Sequence, residues 1–169
     1  GVDVFCIETM TDLAEAKLAV QAAKETAPAI PVLATMTFSP TPRGFFTIMG
    51  TSIQKAAAGL QEAGADVVGS NCGNGTELMV QIAAEFRRHT TLPMLIQSNA
   101  GLPAMKDGVA VYPETPEFMA GKVAELVAAD INLDGVEQAA RHVAQIEIER
   151  ERVNAGEQQA GVNDRDVHG

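Results

Sequence analysis

The chain has 169 residues, with 12 Lys and Arg against 22 Asp and Glu, a formal net charge of −10 at pH 7, and two cysteines. That acidity repels a phosphate backbone, and no Lys/Arg run or aromatic-plus-basic surface offsets it, which discounts nucleic acid as a partner. No apolar run reaches the ~18 residues of a membrane span, the opening "GVDVFCIE" has no charged leader, and two thiols make no disulfide scaffold; the expectation is a cytoplasmic chain with reduced thiols and no membrane partner.

Short apolar runs then alternate with helical patterns. "VDVFCIE" (2–8) is near-continuously apolar up to a polar end, the pattern of a strand covered on both faces. In "TDLAEAKLAVQAAKETA" the residues Leu13, Ala16, Val20 and Ala23 fall on one face of a helix. "PVLATMTF" (31–38) is the second strand, and Thr51 with Gln54 gives a capping-box pattern for the helix "TSIQKAAAGLQEAG", which Gly64 closes. "DVVGSN" (66–71) is the third strand, followed by a helix "TELMVQIAAEFRRH" with Leu78, Ile82 and Phe86 on one face. "PMLIQSN" (93–99) is the fourth, and Thr115-Pro116 opens a last helix through Ala129. Beyond Asp130 there is no aromatic residue; one amphipathic helix, at about Val136 to Val153, and then a frayed polar tail are expected.

Strands alternating with helices imply right-handed βαβ crossovers, in an open doubly wound sheet or in a barrel, and periodicity does not choose between them. In either fold the chemistry sits at the carboxyl ends of the strands. That makes Glu8, Thr37, Phe38, Asn71, Cys72 and Asn99 the informative positions.

Three of these positions carry competing readings. Glu8 either caps a neighbouring loop or the helix near Thr11, or receives a substrate's ammonium group. Cys72, between "SN" and "GNG" at a strand-to-helix turn, is an inert half-buried thiol, a nucleophile or a metal ligand. A nucleophile wants a histidine base, and His89, His142 and His168 do not fall at strand ends, so metal ligation is the stronger of its functional readings. Asn99, in "IQSNAGLP", either caps its own loop or joins Cys72 at the mouth.

The ordered set "GVDVFCIETMTDLAEAK", "PVLATMTF", "GADVVGSNCGNG" and "LPMLIQSNAGLP" resembles the homocysteine S-methyltransferase family, in particular the homocysteine-binding modules of cobalamin-dependent methionine synthases. The likeness runs from Gly1 to about Ile131. It implies an α/β chain built as a (βα)8 TIM-type barrel, with zinc held at the carboxyl face by three cysteine thiolates, the first matching Cys72. Glu8 then matches the glutamate that holds the homocysteine amino group. Asn71 matches a pocket residue beside the metal, and Asn99 an asparagine that occupies the fourth zinc position in the absence of substrate. Cys6 matches a hydrophobic core position. No residue of the chain is assigned a catalytic role of its own.

The implied reaction is zinc-dependent transfer of a methyl group to the thiol of homocysteine, giving methionine. The donor expected for this branch is methylcobalamin charged from 5-methyltetrahydrofolate, on a corrinoid protein or folate-binding module that this chain does not include. S-methylmethionine and betaine remain open as donors for the wider family.

The sequence departs from the family where a Gly-Gly-Cys-Cys-Gly-Thr motif would supply two more zinc ligands: it reads "LDGVEQAARHV" instead, with no cysteine after Cys72. The expected organisation is therefore an incomplete barrel over 1–131, four consecutive βα units matching strands four to seven, followed by a divergent helix and tail over 132–169. On this reading the chain is an internal piece, with the first three βα units absent. Taken alone it binds zinc weakly or not at all and is inactive. The alternatives that remain are a truncated chain, a frame-shifted product, a half-barrel that dimerises, a non-catalytic interaction module, and another α/β-barrel enzyme using Glu8 and Asn71 on a small anionic substrate without metal.

Overall fold

The computed structural model describes residues 1–106 and 108–128. The expected helix at 136–153 and the 132–169 segment lie outside the described residues.

The chain order is β1 (Phe5–Met10), α1 (Leu13–Thr26), β2 (Val32–Met36), β3 (Ser39–Thr41), β4 (Gly44–Phe46), α2 (Ile53–Ala63), β5 (Val67–Asn71), α3 (Thr76–Arg87), β6 (Met94–Gln97), β7 (Ala104–Lys106), β8 (Val109–Val111) and α4 (Pro116–Ala128). The four strands read from the sequence form one sheet in the order β1-β2-β5-β6, parallel throughout. Two short antiparallel hairpins, β3–β4 and β7–β8, lie outside it. Their three-residue strands are too short to carry a readable period.

Helix ends follow local chemistry. Asp12 caps α1, its Oδ1 accepting from Ala14 N at 2.7 Å and Glu15 N at 3.2 Å. The cap of α2 is Ser52, whose Oγ accepts from Lys55 N, and not the expected Thr51 pairing with Gln54. Thr51 is held instead in the preceding turn, where its N–H donates to Thr47 Oγ1. Gly64 ends α2 in the left-handed region, φ 100°, as expected.

The core explains how the sheet is wound. Ala16 and Val20 of α1, Ile53, Ala56, Ala57 and Leu60 of α2, and Met79, Ile82 and Phe86 of α3 are buried in one cluster with Val32, Ala34 and Met36 of β2, Val68 of β5 and Met94 of β6. Because side chains alternate along a strand, those sheet residues belong to one face. Three successive crossover helices therefore share a single face, and the strand order never reverses. A doubly wound sheet has helices on both faces and a reversal point, and the described residues show neither. Phe38 and Phe86 close the cluster edge to face, with ring centroids 5.6 Å apart and planes at 78°.

Two expectations need correction. Phe38 is fully buried in this cluster and belongs to the core, not to the strand-end surface. Cys6, expected in the core, is exposed: Phe5 and Ile7 pack against the cluster, which turns Cys6 and Glu8 of this edge strand to the other face.

Candidate substrate site at the carboxyl ends of the strands

The site begins with an irregularity in β1. Ile7 pairs with Ala34 and Met10 with Met36, so β1 carries one residue more than β2 across this interval. Thr9, at φ 59°, takes up the excess, and such a bulge re-aims the side chains beside it. The N–H of Thr9 leaves the ladder and donates to Asn71 Oδ1 at 2.8 Å, which ties the end of β1 to the end of β5.

Asn71 is the centre of the arrangement and is 2% exposed. Its Oδ1 also accepts from Thr35 Oγ1 at 2.8 Å, and its main-chain oxygen accepts from Thr37 Oγ1 at 2.9 Å. Its Nδ2 lies 2.8 Å from Thr9 Oγ1, 3.2 Å from Glu8 Oε2 and 3.4 Å from Cys72 Sγ. An amide nitrogen has two hydrogens, so three acceptors share two donors.

Cys72 follows directly and, like Thr9, has φ 59°. Its N–H donates to Gln97 O at 3.2 Å, holding the turn to β6, and its half-buried sulfur also lies 3.8 Å from Thr9 Oγ1. The loop beyond is pinned on three sides. Asn74 Nδ2 donates to Phe38 O at 2.6 Å, Asn99 N donates to Asn74 O at 3.0 Å, and the hydroxyls of Thr76 and Ser98 meet at 3.0 Å.

The start of α3 is satisfied by a carboxylate from far along the chain. Glu114 Oε2 accepts from Thr76 N at 2.8 Å, the favoured place for an anion. A Cβ on Gly75 would stand 1.9 Å from Glu114 Oε1, so glycine is what admits this carboxylate. The helix end near Cys72 is therefore matched to Glu114, while the sulfur is approached by Asn71 and Thr9.

Of the four residues given a site role from the sequence, Glu8, Asn71 and Cys72 are brought together. Asn99 joins their loop through its main chain, and among the described residues its side chain makes no hydrogen bond to those three. Cys6, on the same strand as Glu8, has its thiol held above the usual range, first by partial burial of the sulfur and second by the charge of Glu8.

A catalytic zinc takes three protein ligands and keeps a fourth position open. Among the described residues no three His, Cys, Asp or Glu side chains converge on a point that could hold a metal ion. Cys72 is one suitable donor, and the donor set of the described residues does not by itself fit zinc.

Sequence reasoning missed Thr9, Thr35 and Glu114. Thr35 sits inside an apolar run where a β-branched residue reads as an ordinary strand former. Thr9 carried one visible sign, a hydroxyl beside the carboxylate that ends the run. Glu114 lies 38 positions from its partner and gave none.

With this geometry in view, comparison with known proteins is decisive for ancestry. The profile described as Homocysteine S-methyltransferase matches residues 1–144. The chain belongs to the homocysteine S-methyltransferase family. It is 31% identical over 132 residues to a methionine synthase of Mycobacterium tuberculosis, the match covering 76% of this chain and 11% of that protein. A methionine synthase of Mycobacterium leprae is 30% identical over the same length and the same shares. The chain thus matches about a tenth of the length of these family relatives. In fold it is similar to the apo crystal structure of the Escherichia coli homocysteine methyltransferase MmuM, with a TM-score of 0.55 and 19% identity, over 76% of this chain and 41% of that one. No helix among the described residues is long and apolar enough to cross a membrane.

Proposed function

We propose that this chain carries part of the homocysteine-binding face of a methyltransferase that converts homocysteine to methionine. Residues 1–131 would be a segment of a (βα)8 barrel, strands four to seven, and 132–169 a divergent extension. Membership of the family and the one-sided cover of the sheet support this reading. The observation that carries it is the Asn71 amide, which reaches both Glu8 and Cys72. A carboxylate for an ammonium group and a sulfur thus both lie within reach of one amide nitrogen.

The roles follow from charge and reach. Glu8, exposed at the mouth, receives the substrate ammonium. Asn71 holds Glu8 and the Cys72 sulfur in fixed relation, and Asn99 lines the neighbouring loop. Cys72 is one of the zinc thiolates of the complete protein, the other ligands coming from residues outside this donor set. The methyl group would come from methylcobalamin and 5-methyltetrahydrofolate on other modules, a corrinoid protein or folate-binding module being the partner.

Calorimetric titration of the full chain with homocysteine tests the substrate assignment. Binding that falls about tenfold or more in Glu8→Gln is expected, the value of a charge-assisted contact. Equal affinity in that variant, or no binding to the unaltered chain, would sink the assignment. In the complete protein, zinc content should drop on Cys72→Ala; unchanged content would remove Cys72 from the ligand set.

A further inference from the structure

One member of the polar network never meets solvent. Thr35, in the middle of β2, is 1% exposed, and the four other residues of that strand are apolar and buried. A hydroxyl in such a strand needs a partner, and it has one in Asn71 Oδ1, at 2.8 Å. The residue paired with Thr35 on β5 is Gly69, which puts no side chain between them.

The two donors on Asn71 Oδ1 differ in what they fix. The Thr9 N–H can only donate, so the amide oxygen must face it and Nδ2 must face away. The Thr35 hydroxyl then meets the same oxygen from β2 and takes its second lone pair. A terminal amide torsion is otherwise broad, and one donor alone leaves the plane free to rock. Rocking matters here because three acceptors compete for two Nδ2 hydrogens. A small rotation decides whether Glu8 or Cys72 receives the second.

The geometry points to Thr35 as a positioning residue that, through Asn71, sets the spacing between the Glu8 carboxylate and the Cys72 sulfur. What that spacing serves rests on the homocysteine reading above; the network itself does not. Among the described residues the Thr35 hydroxyl bonds to Asn71 and not to Glu8 or Cys72, so it acts by holding the amide.

The test compares Thr35→Val, which keeps the side chain's shape and deletes the donor, with Thr35→Ser, which keeps the donor. Three measurements on the full chain are needed: homocysteine affinity by calorimetry, the Cys72 alkylation rate with iodoacetamide at one fixed pH, and the nuclear magnetic resonances of the Asn71 side-chain amide. Mass spectrometry separates Cys72 from Cys6, whose rate is the internal control.

Thr35→Val should weaken homocysteine binding about five- to tenfold, the value of one hydrogen bond, change the Cys72 rate by a similar factor and shift the Asn71 resonances. Thr35→Ser should restore all three, with Cys6 unmoved. Wild-type values in Thr35→Val, or failure of Thr35→Ser to restore them, overturn the proposal. Should Thr35→Val not fold, the unaltered chain decides: a Thr35 hydroxyl proton that exchanges slowly with water supports the assignment, and one exchanging at the solvent rate overturns it. Lack of homocysteine binding in the unaltered chain would defeat the functional reading alone, since alkylation and resonance need no ligand.

Discussion

The two ends of β5 are built on different rules. At the amino end, Asp66 Oδ2 accepts from Val32 N at 2.7 Å and from Lys24 Nζ at 2.5 Å, while its own N–H donates to Val32 O at 2.9 Å. Nearby, Arg87 Nη2 donates to the main-chain oxygens of Thr90 and Leu92. Apart from the ion pair, which ties α1 to the residue before β5, each of these bonds closes a ladder or a turn. At the carboxyl end the backbone bulges, Thr9 and Cys72 adopt left-handed φ, and one amide faces three acceptors. The buried Ser70 Oγ and Gln97 Oε1, which have no partner among the described residues, also lie toward this end. One strand thus joins a stabilising end to one that forgoes stability, and the second kind of end is where ligand chemistry sits in parallel α/β folds.

The largest effect expected is on the strand between those ends. A Cβ on Gly69 would lie 1.8 Å from Leu95 O and 2.8 Å from the carbonyl carbon, both main-chain atoms of β6. Neither can swing away, so Gly69→Ala must part β5 from β6. A loss of about 3 kcal/mol or more is expected by urea denaturation, the upper range for overpacking. Unchanged stability would mean that β5 and β6 do not approach as described, and the whole carboxyl-end geometry would go with them. A smaller loss is expected at the amino end. Asp66→Ala leaves Val32 N without its acceptor and breaks a half-exposed ion pair, for about 1–2 kcal/mol in all. Homocysteine affinity should stay at the unaltered value, because nothing at this end reaches Glu8 or Asn71. A parallel fall in affinity would erase the distinction between the two ends.

How much of this was written in the sequence differs in the same way. The four sheet strands and the three crossover helices were legible because burial imposes a period, and a period survives errors of a residue or two; α4, which buries no residue, was legible from its Thr115-Pro116 start. The apolar stripe Leu13, Ala16, Val20 and Ala23 packs as expected. Strand limits were less legible: β1 starts three residues later than its apolar run and continues past Glu8, since ladder pairing and not hydrophobicity sets its ends. At the site, Glu8, Asn71 and Cys72 could be named because they stand at the polar ends of apolar runs, although only Asn71 is the last residue of its strand. The bulge at Thr9, the buried donor Thr35 and the distant carboxylate Glu114 were invisible, because each is defined by a partner that neither period nor propensity encodes.

The smallest effect separates strain from support at Cys72. Left-handed φ costs a residue with a Cβ roughly 1–2 kcal/mol, and glycine escapes that penalty at an entropic cost of about 0.5–1 kcal/mol. Cys72→Gly should therefore raise stability by about 0.5–1 kcal/mol, a shift of about 2 °C in melting midpoint for a chain of this size. The sulfur accepts from Asn71 Nδ2 at 3.4 Å and from Thr9 Oγ1 at 3.8 Å, and because a thiol sulfur is a weak acceptor these bonds offset little of the gain when it is removed. A rise in melting midpoint would identify the left-handed turn as strain kept for the placement of a thiol. A fall would mean that the sulfur's two donors hold the turn together, and the carboxyl end would then be as much a stabilising end as Asp66 is.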